Sequence, residues 1–331
     1  MATITILGAG NWGTTLALLL HSKQHRVKLW EFYPERASRL NDLRENREFL
    51  PGFRIPEVIE ITSDACESSV DSDVLIFALP SEAIRGVARK VAQRTDGVLL
   101  LSVSKGLECD TLMRMSEVLS EEVPGGKIAA LSGPCIANEV ALGIPTTVVI
   151  AGKDREVCER LQGLLMTPNF RVYTHDDIIG VELGGAFKNI IAVAAGMCDG
   201  IGLGANTKGA LITRGLAEIT RLGSSMGANP LTFAGLSGVG DLVTTCFSAH
   251  SRNRRVGEEI GRGKKLDRVL SELTMVAEGV NTTRCAVKLA TAASIEMPIT
   301  TEVHKVLFEG KSPREAIADL MLRPPRPEIW S

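Results

Sequence analysis

A short β-branched run, T-I-T-I-L at residues 3–7, meets three glycines at once, and a helix-forming stretch follows to about Ser22. The glycines are Gly8, Gly10 and Gly13, in the pattern G-x-G-x-x-G. A second apolar run, V-K-L-W at 27–30, comes next. Strand, glycine-rich turn, helix and strand within about 30 residues is the opening of a βαβ unit. Each glycine has a reason. The first permits the tight turn, the second lets a pyrophosphate approach the backbone, and the third lets helix and strand pack closely. The anion then rests on free N–H groups at the helix N-terminus. Asn11 and Trp12 lie inside the same turn.

The same rhythm continues. Residues 74–79 are a continuous apolar run, as a strand covered on both faces should be, and V-L-L-L-S-V at 98–103 reads as a further strand. Residues 128–131 and 146–151 read as further strands, and Ser81 reads as the cap of a helix running to about Gln93. Alternation of this kind predicts a doubly wound parallel sheet. From Asp177 onward the spacing turns helical, through Val181, Leu183, Phe187, Ile190, Ile191 and Ala194. The chain of 331 residues is therefore read as two domains: an α/β dinucleotide-binding domain over 1–178 and an all-α domain over 179–331.

Composition narrows the partners. Apolar residues make up 44% and charged residues 23%, which excludes a disordered or repetitive chain. The net charge is −2, so a nucleic-acid partner or anionic membrane surface is not expected. No uninterrupted apolar run of about 18 residues is present, so no membrane insertion is expected. The first residues lack a basic n-region and long apolar h-region, and they read as a strand of the fold. Seven scattered cysteines without a C-x-x-C pair fit reduced thiols and a cytoplasmic location. The five histidines show no ligand spacing with cysteines or acids, and no metal site is expected. His250, beside a basic cluster, is the least secure of these. Cys246 reads as a buried structural thiol.

Glu31 ends the second strand, where an acid can bond the adenosine ribose 2′-OH and repel an added 2′-phosphate. That favours NAD. Arg36 and Arg39 lie nearby and could favour NADP instead. Lys188 sits in V-E-L-G-G-A-F-K-N-I-I-A-V-A-A-G, where desolvation should lower its pKa and suit it to proton transfer. The alternative is a lysine whose stem packs along the helix while its head reaches water. Two glycine-rich stretches, one starting at Asp199 and one over 235–246 with Asp241, read as loops or as sites of close chain approach. S-R-N-R-R over 251–255 is either a phosphate-binding cluster or a solvated helix face.

Taken in order, G-A-G-N-W-G, S-K-G-L-E (104–108), G-P-C-I-A-N-E-V (133–140), E-L-G-G-A-F-K-N (182–189), N-T-K-G-A-L-I-T-R-G-L-A-E (206–218), G-V-G-D-L-V-T-T-C (238–246), S-R-N-R (251–254) and V-A-E-G-V (276–280) resemble the NAD(P)-dependent glycerol-3-phosphate dehydrogenases. The resemblance spans about residues 3–323. It implies a Rossmann domain followed by a helical domain of the 6-phosphogluconate-dehydrogenase-like kind. It also implies hydride transfer between NAD(P)(H) and the glycerol 3-phosphate/dihydroxyacetone phosphate pair, supplying glycerol phosphate for phospholipids. Lys188 matches the proton donor and acceptor. Lys105 matches a lysine touching both cofactor and substrate. Gly133, Cys135, Asp241, Ser251, Arg252 and Asn253 match the substrate set, with Arg252 also reaching the cofactor. Asn11, Trp12, Ala137, Val276 and Glu278 match cofactor contacts. A homodimer is a further family expectation. Cys135 stands where the family usually has Ser or Thr, Ile136 where it has Phe, and Glu31 where many bacterial members carry a basic or neutral residue. Two rivals remain: another dehydrogenase of this architecture, and a sensor that binds NAD(H) without turnover. Lys188, Asp241 and Arg252 occurring together argue against the sensor.

Overall fold

The computed structural model describes residues 1–92 and 97–328. Its strands are β1 (Thr3–Leu7), β2 (Arg26–Trp30), β3 (Glu45–Asn46), β4 (Leu50–Arg54), β5 (Glu60–Thr62), β6 (Val74–Phe77), β7 (Leu99–Ser102), β8 (Lys127–Ser132), β9 (Thr146–Gly152) and β10 (Phe170–His175). Eight of them form one sheet in the order β10-β9-β8-β7-β6-β1-β2-β5, and β3 and β4 form a hairpin. Six neighbouring strands, from β5 to β8, are parallel. Counted along the chain they have the order 3-2-1-4-5-6 of a doubly wound nucleotide fold. The switch in winding direction falls between β1 and β6, beside Gly8.

The parallel expectation fails at one junction. β9 runs antiparallel to β8, and β10 is parallel to β9. The connecting segment 133–145 stays at one end of the sheet, with only the short helix Ala137–Ala141, and delivers Cys135 and Ala137 to the cleft described below. β10 has no counterpart among the strands expected from sequence. Its residues alternate between buried and exposed, unlike the continuously buried β6 and β7. A search for unbroken apolar runs misses an edge strand of period two.

The helices of this half are α1 (Asn11–Ser22), α2 (Pro34–Leu43), α3 (Ala65–Ser69), α4 (Ile84–Val91), α5 (Met115–Glu122), α6 (Ala137–Ala141) and α7 (Arg155–Leu165). Ser81 opens a short 3₁₀ turn ahead of α4 and does not cap it with its side chain; the expected helix end at Gln93 lies outside the described residues. After β10 the described residues are helical: α8 (Ile178–Ile201), α9 (Ala205–Ser225), α10 (Asp241–Phe247), α11 (Arg252–Gly261), α12 (Leu266–Ser271), α13 (Glu278–Ala293), α14 (Pro298–Phe308) and α15 (Pro313–Met321).

α8 is the axis of this half. Asp177 starts it by accepting the Gly180 amide at 2.8 Å. Its length and mean hydropathy of 1.6 would allow a bilayer crossing, yet 94% of that window is buried inside the protein. Both glycine-rich stretches prove largely helical. α8 runs through Asp199 and Gly200, and α10 begins at Asp241. Of the glycines in the first stretch, Gly200 serves close helix contact, its Cβ position lying 2.2 Å from the Glu258 carbonyl, and glycines just outside the stretches do the same. A Cβ on Gly196 would sit 1.9 Å from the Arg254 carbonyl, and one on Gly257 would sit 1.9 Å from that of Val193. α8 and α11 therefore touch backbone to backbone, which fixes where the start of α11 points.

Candidate active site

A cleft of about 770 Å³ lies between the carboxyl ends of the strands and the helices. Its upper wall is backbone. Gly8 has φ +117°, and a Cβ there would meet the Ala78 carbonyl at 2.5 Å. A Cβ on Gly13 would lie 1.8 Å from the Gly8 carbonyl. Gly10, between them, has open space within 4 Å of where its Cβ would be. Two glycines are thus sealed by packing, and the third leaves the cleft clear for a ligand. Gly10 brings no capping side chain to the start of α1; the Trp12 amide is taken by Asn11 Oδ1 at 2.8 Å, and the rest of the first turn is left open to an anion. The Trp12 indole Nε1 is buried without a partner. A pyrophosphate-bearing dinucleotide fits this cradle.

At the end of β2, Glu31 is buried and accepts the Tyr33 amide at 3.2 Å. Arg36 lies 3.9 Å from the same carboxyl oxygen and stacks over Phe49, 4.3 Å from the ring centroid. Glu31, Arg36, Phe32, Tyr33 and Phe49 all line the cleft. Arg39 does not; it pairs with Glu48 at 3.3 Å. Of the two arginines, Arg36 alone lines the cleft beside Glu31.

The floor is a chain of charges. Lys188, near the middle of α8, donates to Asp241 Oδ1 at 2.6 Å and to Thr245 Oγ1 at 2.5 Å. Lys105, on the loop after β7, donates to Asp241 Oδ2 at 2.7 Å, to the Gly133 carbonyl at 2.8 Å and to Cys135 Sγ at 3.3 Å. An ammonium has three N–H bonds. Those of Lys105 are all engaged, whereas Lys188 has given two and retains one toward the cleft that it lines. Burial lowers the Lys188 pKa, Asp241 opposes this, and Lys105 adds to the lowering. Burial also works against the Lys105 ammonium, but Asp241 outweighs it and holds that pKa above the ordinary lysine range. Burial would raise the Asp241 pKa, and the two lysines overcome it and hold the carboxyl down. Two neighbouring lysines with pKa values pushed in opposite directions can divide two roles: one moves a proton and the other stays cationic.

The other end of the cleft is built from α11 and α13. Asn253 donates to Asn189 Oδ1 at 2.8 Å and accepts the Gly279 amide at 2.9 Å. Asn189 donates to the Lys105 carbonyl at 3.0 Å. This amide chain joins the Lys105 loop to three helices. Arg252 lines the cleft and donates to the Val276 carbonyl at 2.7 Å. Burial lowers its pKa, against the pull of Glu278. Glu278 accepts Ser81 N at 2.8 Å and Ser81 Oγ at 2.6 Å, joining α13 to the turn after β6. The basic cluster splits. Arg252 faces the cleft, Arg254 turns to Asp199 at 2.7 Å, and Arg255 is exposed.

Of the residues expected at the site, Gly8, Gly10, Asn11, Trp12, Glu31, Lys105, Cys135, Ala137, Lys188, Ser251, Arg252, Asn253, Val276 and Glu278 line one cleft. Gly13, Gly133 and Asp241 stand behind it, acting on Gly8 and on the two lysines. Ser251 also caps α11, accepting the Arg254 amide at 3.2 Å. His250 lines the mouth. Sequence reasoning passes over Thr245 and Asn189 and reads Ser81 only as a helix cap. Thr245 carries a usable signal, because it lies four residues after Asp241 and so on the same helix face. Ser81 carries none, since its partner is 197 residues away.

Residues 3–158 match the N-terminal part, and residues 177–318 the C-terminal part, of the NAD-dependent glycerol-3-phosphate dehydrogenases. A glycerol-3-phosphate dehydrogenase [NAD(P)+] of Prosthecochloris aestuarii is 49% identical over 98% of this chain and 99% of its own length. One of Pelotomaculum thermopropionicum is 50% identical over 97% of this chain and 93% of its own. The crystal structure of glycerol-3-phosphate dehydrogenase from Coxiella burnetii superposes with a TM-score of 0.94 at 37% identity, covering 97% of this chain and 99% of that one. Sequence, fold and cleft agree: this chain belongs to the NAD-dependent glycerol-3-phosphate dehydrogenase family.

Proposed function

We propose that the chain interconverts sn-glycerol 3-phosphate and dihydroxyacetone phosphate with NAD(H), supplying glycerol phosphate for phospholipid synthesis. The observation that carries this reading is the buried Lys188, fixed by Asp241 and Thr245 with one N–H left over the cleft. The nicotinamide, when bound, supplies or accepts the hydride. Gly8, Gly10, Asn11, Trp12, Ala137, Val276 and Glu278 hold the dinucleotide, Gly13 supporting the turn from behind. In the reducing direction Lys188 gives its proton to the substrate C2 oxygen. In the oxidising direction neutral Lys188 takes that proton, and its lowered pKa makes the neutral form accessible. Lys105 stays cationic beside the same oxygen and stabilises developing negative charge. Arg252, with Ser251 and Asn253, anchors the phosphate and so orients the reacting carbon. Gly133 and Asp241 serve by aiming the lysines, and Cys135 lines the wall at the substrate end.

Glu31, buried at the end of β2, supports NAD over NADP; Arg36 beside it leaves NADP as a usable second cofactor. The change of element type after His175 supports dividing the chain into a cofactor domain over 1–178 and a substrate domain over 179–331. Family membership supports a homodimer and a cytoplasmic location, and the free state of all seven cysteines fits a reducing compartment. Steady-state reduction of dihydroxyacetone phosphate, run in parallel with NADH and NADPH, tests the reading. Turnover with an NADH preference supports both the activity and the role of Glu31. An NADPH preference keeps the activity and overturns the Glu31 argument. A folded protein that binds a cofactor and turns over neither mixture is the sensor. Light scattering at assay concentration decides the dimer.

A further inference from the structure

The described residues hold a second pair of nucleophiles outside the cleft. Cys109 lies on the loop between β7 and α5, four residues after Lys105. That loop folds back on itself, with Leu107 bridged to Arg114 and the Glu108 amide bonded to the Met113 carbonyl at 3.0 Å. Its tip reaches the helical half. Cys109 Sγ donates to the Asn281 carbonyl on α13 at 3.5 Å. Cys285 is fully buried and lies four residues after Asn281, so Cys109 Sγ sits on the turn toward which the Cys285 side chain leans, and each thiol perturbs the other. Cys109 is half-buried and Cys285 is sealed, so solvent reaches the pair from the Cys109 side. Burial raises the Cys109 pKa while the neighbouring Cys285 thiol works to lower it. Cys285 is raised by burial and further by its neighbour. Each neighbour's influence therefore favours ionising Cys109 before Cys285.

We infer that Cys109 and Cys285 form a reversible disulfide site joining the loop that carries Lys105 to the helix that starts with Glu278. The oxidant is a small-molecule disulfide such as oxidised glutathione. The Cys109 thiolate attacks it, forming a mixed disulfide and releasing one glutathione thiolate. The Cys285 thiol then loses its proton, attacks the Cys109 sulfur and displaces the second glutathione. Two protein thiols lose two hydrogens and one glutathione disulfide becomes two thiols, so the exchange balances. The bond closes a loop of more than 170 residues, which confines the unfolded chain strongly. It also keeps two walls of the cleft together. The inference stands on these residues and does not depend on the activity proposed above.

The experiment incubates the folded full-length chain with oxidised glutathione, blocks remaining thiols, and maps a non-reducing digest by mass spectrometry. The expected result is one cross-linked peptide pair, Cys109 with Cys285, undone by dithiothreitol, and a melting temperature raised by several degrees. Cys109→Ser should lose both effects while its untreated melting temperature stays near that of the parent. A glutathione adduct left on Cys109 with Cys285 still alkylatable after denaturation would overturn the inference. So would a cross-link that persists in Cys109→Ser.

Discussion

The two halves of the cleft present their chemistry by different means. The sheet half offers backbone: a turn whose outer glycines are sealed at 2.5 Å and 1.8 Å, an open middle glycine, and the N-terminal turn of α1. The helical half offers side chains: Lys188, Thr245, Asn253 and Arg252, with Asp241 behind, drawn from α8, α10 and α11. A backbone site is made by residues close in the chain, so one short motif specifies it. A side-chain site joins Lys188 to Asp241 and Thr245, 53 and 57 positions away, and its accuracy rests on how the helices pack. Hence the close α8–α11 contact at Gly196 and Gly257, without which neither Arg252 nor Asn253 has a fixed direction.

The sharpest way to separate the halves is Lys188→Ala. It should keep cofactor affinity and lose turnover by about 10²–10⁴-fold, the range for a lost acid–base group. Nucleotide titration beside steady-state kinetics reads both, and unchanged turnover would remove Lys188 from the mechanism. Arg252→Ala comes next. A charge-assisted hydrogen bond contributes about 1.5–3 kcal/mol, so KM for the phosphate substrate should rise by roughly 10–100-fold. If KM for the cofactor rises alone, Arg252 belongs to the other half of the site.

The backbone half is probed with a pair of substitutions. Gly13→Ala places a methyl against the Gly8 carbonyl and should cost about 1–3 kcal/mol or more of stability, seen as a lower denaturation midpoint. Gly10→Ala meets nothing in the protein and should leave the midpoint alone while weakening the dinucleotide. Equal effects from the two would mean that the turn is not divided between packing and binding.

Asp241→Asn tests the coupling of the lysines. Asp241 raises the Lys188 pKa against burial, so its loss should lower that pKa further. The limb for glycerol phosphate oxidation, which needs neutral Lys188, should then move to lower pH in a kcat/KM profile. A limb that moves upward contradicts the assignment. A smaller effect concerns stability in the helical half. Glu218 on α9 accepts the amides of Ile299 and Thr300 at the start of α14, and burial pushes its carboxyl up to about 7. The folded chain then holds this proton more tightly than the unfolded chain, whose carboxyl titrates near about 4.3. Stability from this group is present below that pH and is lost as pH rises through about 7. Glu218→Gln should flatten that part of a melting-temperature profile, and an unchanged slope would exclude Glu218 as its source.

Sequence by itself determined the βαβ opening, the position of the glycine turn, the passage from alternating elements to helices, and the apolar setting that singles out Lys188. These are local matters: spacing, turn chemistry and the period of apolar residues act within a few turns of chain. Tertiary structure alone decided that β9 reverses, that the second glycine-rich stretch starts a helix, and that S-R-N-R-R splits into one cleft arginine and two others. It also decided that Asp241 bridges two lysines without itself lining the cleft. Those outcomes depend on contacts between segments dozens to hundreds of residues apart, where the burial of a charge and the approach of two backbones are set by partners that no local pattern names.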